Sequence, residues 1–170
     1  DRIIEATAQI EWLRKQRVSI THIDNHMRTC IDHPVELLKL ADKYGMGMRW
    51  PCKMLTDKDA DNWLLHHEIS VPDFLNDGSD VYVSDRQTYE SHCNAYIQML
   101  DHMKYGINEW FMHPAIESDE LKAIAPDWKV RVFDYNFLNS IEFQNTVLKN
   151  QIKLVGYEDI SSIRLKERKI

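Results

Sequence analysis

The chain has 170 residues, 44% of them hydrophobic and 28% charged, with a net charge of −6. That length suits one domain, here residues 1–170, burying roughly 70% of its unfolded surface; the acidic balance excludes the electrostatic footprint of a nucleic-acid binder. No apolar run reaches the ~20 residues of a membrane span and no signal peptide opens the chain, while Cys30, Cys52 and Cys93, without a CxxC pair, read as reduced thiols of a cytoplasmic protein.

In chain order, Ile3, Ala6, Ile10 and Leu13 recur at helical spacing and predict a helix over 2–16. Val18–His22 is a short β-rich run. It leads into Thr21-His22-Ile23-Asp24-Asn25-His26, where His22, Asp24 and His26 fall at every second position with the parity of Val18 and Ile20. A strand turns alternate residues to one face. An apolar face therefore continues into a polar end, as at the mouth of a barrel or the edge of a parallel sheet.

Pro34 opens a second helix with an apolar stripe at Val35, Leu38 and Ala41, ending at Tyr44-Gly45. Met46–Trp50 is a short strand stopped by Pro51, which completes a strand–helix–strand unit. Thr56-x-x-Asp59 resembles a capping box for a helix over about 57–67. Val71–Phe74 and Asn76-Asp77-Gly78 read as loop and turn, and Val81–Val83 as a short strand. Ser84-x-x-Gln87 precedes a longer helix with Tyr89, Cys93, Tyr96, Ile97, Leu100 and Met103 on its buried side and His92 and His102 exposed.

Ile107–Met112 predicts a strand ending in His113-Pro114, with Glu109, Phe111 and His113 on one face. A short helix follows over Ser118–Ile124, another over about 141–150 capped by Ser140, and a last strand over Gln151–Gly156. Lys166–Lys169 makes a charged, solvated tail. Strands alternating with helices argue for a parallel α/β layout. In that layout His22 and His113, each at a strand's C-terminal end, converge and share one metal ion, since imidazole suits zinc and other first-row metals. His33 reads as a cap-region residue, His66-His67 as a surface helix end, and the five tryptophans as mostly packing. Trp63 alone, in the irregular segment, is a candidate for stacking on a sugar ring; Arg49 either faces the pocket or pairs with an acid.

Together these pieces resemble the YdjC-like carbohydrate deacetylases, which include the chitooligosaccharide deacetylases. Thr21–Met27 is similar to that family's Thr-His-x-Asp-Ser-His motif, and Glu109–Pro114 to its Glu-x-x-x-His-Pro-Gly segment. Glu120-Leu121, Trp128, Arg131, Tyr135–Leu138, Phe143 and Ile152–Asp159 follow in the family's order. The resemblance implies a distorted (β/α) TIM-like barrel, a divalent ion (zinc or magnesium) and hydrolysis of N-acetyl groups on short amino-sugar oligosaccharides. By matching position, His22 and His113 are the implied metal ligands, and Asp24 and His26 the implied pocket groups, with His26 the candidate acid. Arg131, with Trp63, is a candidate substrate contact.

The chain departs from the pattern at three places. Ala115 stands where the family has Gly, Arg28 stands near a further His, and the Asp-Asp-Phe-Gly segment has no counterpart. That segment supplies an acidic ligand and a base. The barrel is therefore expected to be incomplete at the N-terminus, with roughly 60–100 natural residues before Asp1 to complete it, and the 170 residues alone to be nearly inactive. The partner expected is a small oligosaccharide, with no nucleic acid or membrane, and a homodimer is one assembly open to the chain. The alternatives are another metal hydrolase on a similar barrel, acting on a phosphate ester or cyclic amide, and a degenerate non-catalytic binding domain.

Overall fold

The computed structural model describes residues 1–26, 34–52, 55, 57–76, 88–160 and 163. The architecture is mixed α/β and dominated by helices. The chain divides into two compact units, Asp1–Phe74 with Val155–Ile170, and Leu75–Leu154.

In the first unit α1 (Arg2–Lys15) is followed by β1 (His22–Ile23), α2 (Pro34–Tyr44), β2 (Gly47–Met48) and α3 (Lys58–His66). β1 and β2 pair in parallel, His22 beside Gly47 and Ile23 beside Met48. Thr21 O and Ile23 O accept from Gly47 N and Arg49 N at 2.8 and 2.9 Å. On the other side of β2, Ser70 O and Pro72 O accept from Met48 N and Cys52 N in ascending order, so an extended segment continues the parallel arrangement beyond the two regular strands. Behind these strands Leu37, Leu38, Ala41, Met48, Trp50 and Ala60 form much of the unit's main core; the expected stripe of α2 supplies Leu38 and Ala41, with Val35 packed against it, and Leu37 joins from outside that stripe.

α2 stops as its sequence requires. Gly45 adopts φ +65°, and Gly45 N and Met46 N bond back to Asp42 O and Ala41 O. This is the Schellman pattern, in which the left-handed residue after the helix is normally Gly. α1 ends the same way on Arg17 at φ 61°, with Val18 N on Leu13 O. That stop leaves Val18 47% exposed, so the apolar strand face expected at Val18 is absent and β1 begins only at His22. Trp12, expected to pack, is 62% exposed on α1.

The second unit contains Leu75 and Asn76 of β3 (Phe74–Asn76), which pairs with β4 (Asn108–Trp110), followed by α5 (Asp119–Ile124), α6 (Trp128–Leu138) and α7 (Ile141–Lys149). Between the strands runs α4 (Tyr89–Asp101), which packs on α6 and α7. The core joins Tyr96, Leu100 and Phe137 to Trp110 and Phe143. Tyr96 meets Trp110 edge-on at 4.8 Å, a preferred aromatic geometry.

Several boundaries depart from expectation. The cap of α3 is Asp57, whose carboxylate accepts from Asp59 N and Ala60 N; the cap of α4 is Thr88, which accepts from Ser91 N. Ser140 caps α7 as expected, and Ser118, expected inside its helix, caps α5. No strand forms over Gln151–Gly156. Gln151 takes φ 54° and ends α7 in a further Schellman pattern, Ile152 N on Val147 O, which folds Ile152 onto the core. α6 was not anticipated, because Val130-Arg-Val-Phe is rich in β-formers and burial overrides that local preference. The expected barrel is not closed among the described residues: the regular strands, two or three residues long, form two separate pairs. Expectations for His33, Val81–Val83, the Ser84 cap and the charged tail lie outside the described residues, as does Cys30; Cys52 and Cys93 form no disulfide among the described residues.

Leu38 is fully buried where α2 meets the strands. Leu38→Ala is expected to destabilise the protein by about 2–5 kcal/mol, removing transfer energy and leaving a cavity, read as a lower urea midpoint at unchanged slope.

Candidate functional site

β1 brings His22 to the edge of the first unit's sheet with its ring held on two sides. Thr21 Oγ1 lies 3.0 Å from His22 Nδ1. The ring of Tyr157, from the helical turn 157–160, stacks on the imidazole at 4.0 Å and 4°. Register explains how that ring reaches His22. Gly47 lies beside His22 on β2, and a Cβ there would sit 2.5 Å from Tyr157 Cδ1 and 2.7 Å from Ser70 O. Only a residue without a side chain leaves that space.

One step further along the same ladder Asp24 meets Arg49, the guanidinium 2.8 Å from the carboxylate. Of the two roles open to Arg49, the structure shows the pairing with an acid. His26 follows on the exposed side of the chain. Trp63, half-buried on α3, packs on the core and stacks at 3.8 Å on His67, so one face of the indole is covered. His67 also bonds Trp63 O through Nδ1, in keeping with a surface helix end.

In the second unit His113 follows β4 with its ring exposed and set edge-on against Phe111 at 6.0 Å, as their shared parity requires. Its backbone is fastened from α6. His113 N donates to Asp134 Oδ2 at 3.2 Å, and Ala115 N donates to Arg131 O at 3.0 Å. Asp134 is fully buried and also accepts from Tyr96 OH at 2.6 Å, with His92 Nε2 at 2.9 Å. Placing the imidazole proton on Nε2 lets all three donors face one carboxylate, the arrangement a buried acid needs. His92 Nδ1 then has no hydrogen-bond partner among the described residues.

His92 is thus a correction: expected exposed on its helix, it is fully buried because α6 presents Asp134 to it. His102 is exposed as expected. Asp134 was missed altogether, and its only sequence signal is an acid within an aromatic, apolar run, Val132-Phe-Asp-Tyr. The Arg131 guanidinium bonds Asp127 one turn earlier at 2.9 Å. That hydrogen bond holds the Asp127 carboxyl below the usual carboxylate range, and His113 adds a smaller pull in the same direction.

The two implied ligands, His22 and His113, belong to different units. Among the described residues no three His, Cys, Asp or Glu side chains are grouped to hold a metal ion. The chemistry of His22 nevertheless suits one: with Nδ1 engaged by Thr21, Nε2 is the nitrogen left for a ligand, the usual arrangement of a metal-bound imidazole. Asp24, tied to Arg49, does not fit as a ligand in this arrangement.

The family described as YdjC-like protein matches residues 3–149. A carbohydrate deacetylase of Listeria monocytogenes serotype 4b (strain CLIP80459) is 26% identical over 165 residues, covering 92% of this chain and 58% of the relative. Carbohydrate deacetylase 1 of Listeria innocua is 25% identical with the same coverage. The chain thus spans 58% of the length of these curated relatives. A crystal structure of a candidate cellobiose-phosphate cleavage protein from Enterococcus faecalis V583 superposes with a TM-score of 0.66 at 22% identity, covering 92% of this chain and 59% of that one. The likeness of fold therefore runs through both units.

The buried carboxylate on α6 and the half-buried one at its N-cap separate in a stability measurement. Asp134→Ala strands His92, Tyr96 and the His113 N–H and is expected to cost about 3–5 kcal/mol. Asp127→Ala removes a partly exposed i,i+4 ion pair and is expected to cost about 0–1 kcal/mol. Urea titrations of the two variants beside the parent check the contrast.

Proposed function

This chain belongs to the YdjC-like family, and on that premise we propose that it is the greater part of a metal-dependent carbohydrate deacetylase removing N-acetyl groups from short amino-sugar oligosaccharides such as chitooligosaccharides. The observation that carries the reading is the oriented His22, which opens β1 rather than ending a strand as expected, in the motif Thr21–His26, inside the matched region 3–149. The reading takes residues 1–170 as part of one domain, a distorted (β/α) barrel in the whole protein, working in the cytoplasm. No helix among the described residues is long and apolar enough to cross a membrane.

In this reading His22 and His113 hold a zinc or magnesium ion. Such an ion, when bound, polarises the acetamide carbonyl and lowers the pKa of a water. His26 donates a proton to the leaving amine. Asp24, its carboxylate oriented by Arg49 at 2.8 Å, is the described acid nearest in sequence for taking the water's proton. Arg131 and Trp63 contact the sugar. The substrate is a small oligosaccharide, and a homodimer remains compatible with it.

The test is acetate release from N-acetylated chitin oligomers by the natural protein, with zinc or magnesium added. His22→Ala and His113→Ala are each expected to lower release about 100-fold or more, since second-sphere losses alone reach 10–100-fold, and chelation to abolish it. Oligomer binding without acetate release would instead mark a non-catalytic domain. Turnover of a phosphate ester or cyclic amide in place of acetate release assigns a different metal hydrolase.

A further inference from the structure

We propose that Tyr157 is a positioning residue for His22, fixing the plane of the imidazole so that Nε2 is the nitrogen offered to a ligand. The proposal rests on the reading of His22 as a metal ligand. It is carried by three observations in the first unit. The rings lie 4.0 Å apart and within 4° of parallel. Gly47 supplies the space that the phenol ring fills, since a Cβ there would lie 2.5 Å from Tyr157 Cδ1. Ile160, in the same helical turn, is 4% exposed and ties the turn into the unit.

The contact differs in kind from the other stacked histidine in the described structure. Trp63 and His67 are one helical turn apart, so their stack follows from local geometry. His22 and Tyr157 come from opposite ends of the chain, and only the tertiary fold brings them together. A histidine on a two-residue strand at a sheet edge otherwise turns freely about its side-chain torsions. Stacking removes that rotation, while Thr21 settles which nitrogen is engaged. When the Thr21 hydroxyl accepts from Nδ1–H, Nε2 carries a lone pair and no proton. An imidazole already held in plane loses less entropy when it ligates an ion, which is the general advantage of preorganisation. Metal-bound histidines are oriented in this way by their outer partners.

The test follows the His22 ring resonances by NMR during zinc titration of the natural protein. Tyr157→Phe keeps a ring in place and is expected to retain the upfield-shifted His22 ring protons and an affinity within about twofold of the parent, whereas Tyr157→Leu keeps apolar bulk without the ring and is expected to lose the shift and bind zinc about 10–100-fold more weakly. Far-UV circular dichroism checks that both variants fold. His22→Ala is the control for the premise. If His22→Ala weakens zinc binding and Tyr157→Leu does not, the positioning role is overturned while the ligand reading stands. If His22→Ala leaves zinc binding unchanged, the ligand reading falls and the proposal falls with it.

Discussion

The pairing of His22 with Gly47 governs the first unit more than the length of its strands suggests. Two parallel residues on each side set which side chains share a face. The glycine falls beside the histidine, and a tyrosine from the far end of the sequence enters the space. The next pair along the ladder sets Asp24 against Arg49. A slip of β2 by one residue would place the Met48 side chain where Gly47 now leaves room. The core supports this register from behind, with α2 ending in a glycine turn after which the chain enters β2 at Gly47.

The second unit is arranged around a buried carboxylate. Asp134 gathers a hydroxyl, an imidazole and a backbone N–H from two other segments of the chain. Removing a carboxylate from water is costly, and the cost is offset only when its oxygens find donors. The Asp134 oxygens find three, and the third is the backbone of His113. α6 also holds Ala115 through Arg131 O, so two contacts from one helix set the path of the His113-Pro114 segment. The exposed ring of a prospective ligand thus stands on a backbone fixed from inside.

The two histidines of the motifs are steadied by different means, a stacked ring for His22 and a backbone anchor for His113. Neither device belongs to the motif that drew attention to the histidine. Tyr157, Gly47 and Asp134 lie far along the chain from the residues they serve, as outer partners of functional side chains commonly do. Reading a site from its motif alone therefore recovers the histidines and leaves out the groups that hold them still.

The helices α1 to α5 and α7 could be placed from sequence because their signals are local. An apolar stripe at 3.6-residue spacing, a serine before the first turn and a glycine after the last depend on neighbours within a few positions. The parity of His22, Asp24 and Arg49's strand was equally accessible, and so was family membership, through two short motifs in order. Tertiary structure alone decided the rest. It made a helix of Val130–Asp134 despite β-forming residues, turned His92 inward to meet an acid on another helix, and ended α7 at Gln151 where a strand was expected. It chose Asp24 as the partner of Arg49 and brought Tyr157 to His22. Each of these depends on a contact between residues distant in sequence, whose energy no local pattern records: burial outweighs a propensity of a few tenths of a kcal/mol per residue, and a buried charge takes its donors from wherever the fold supplies them.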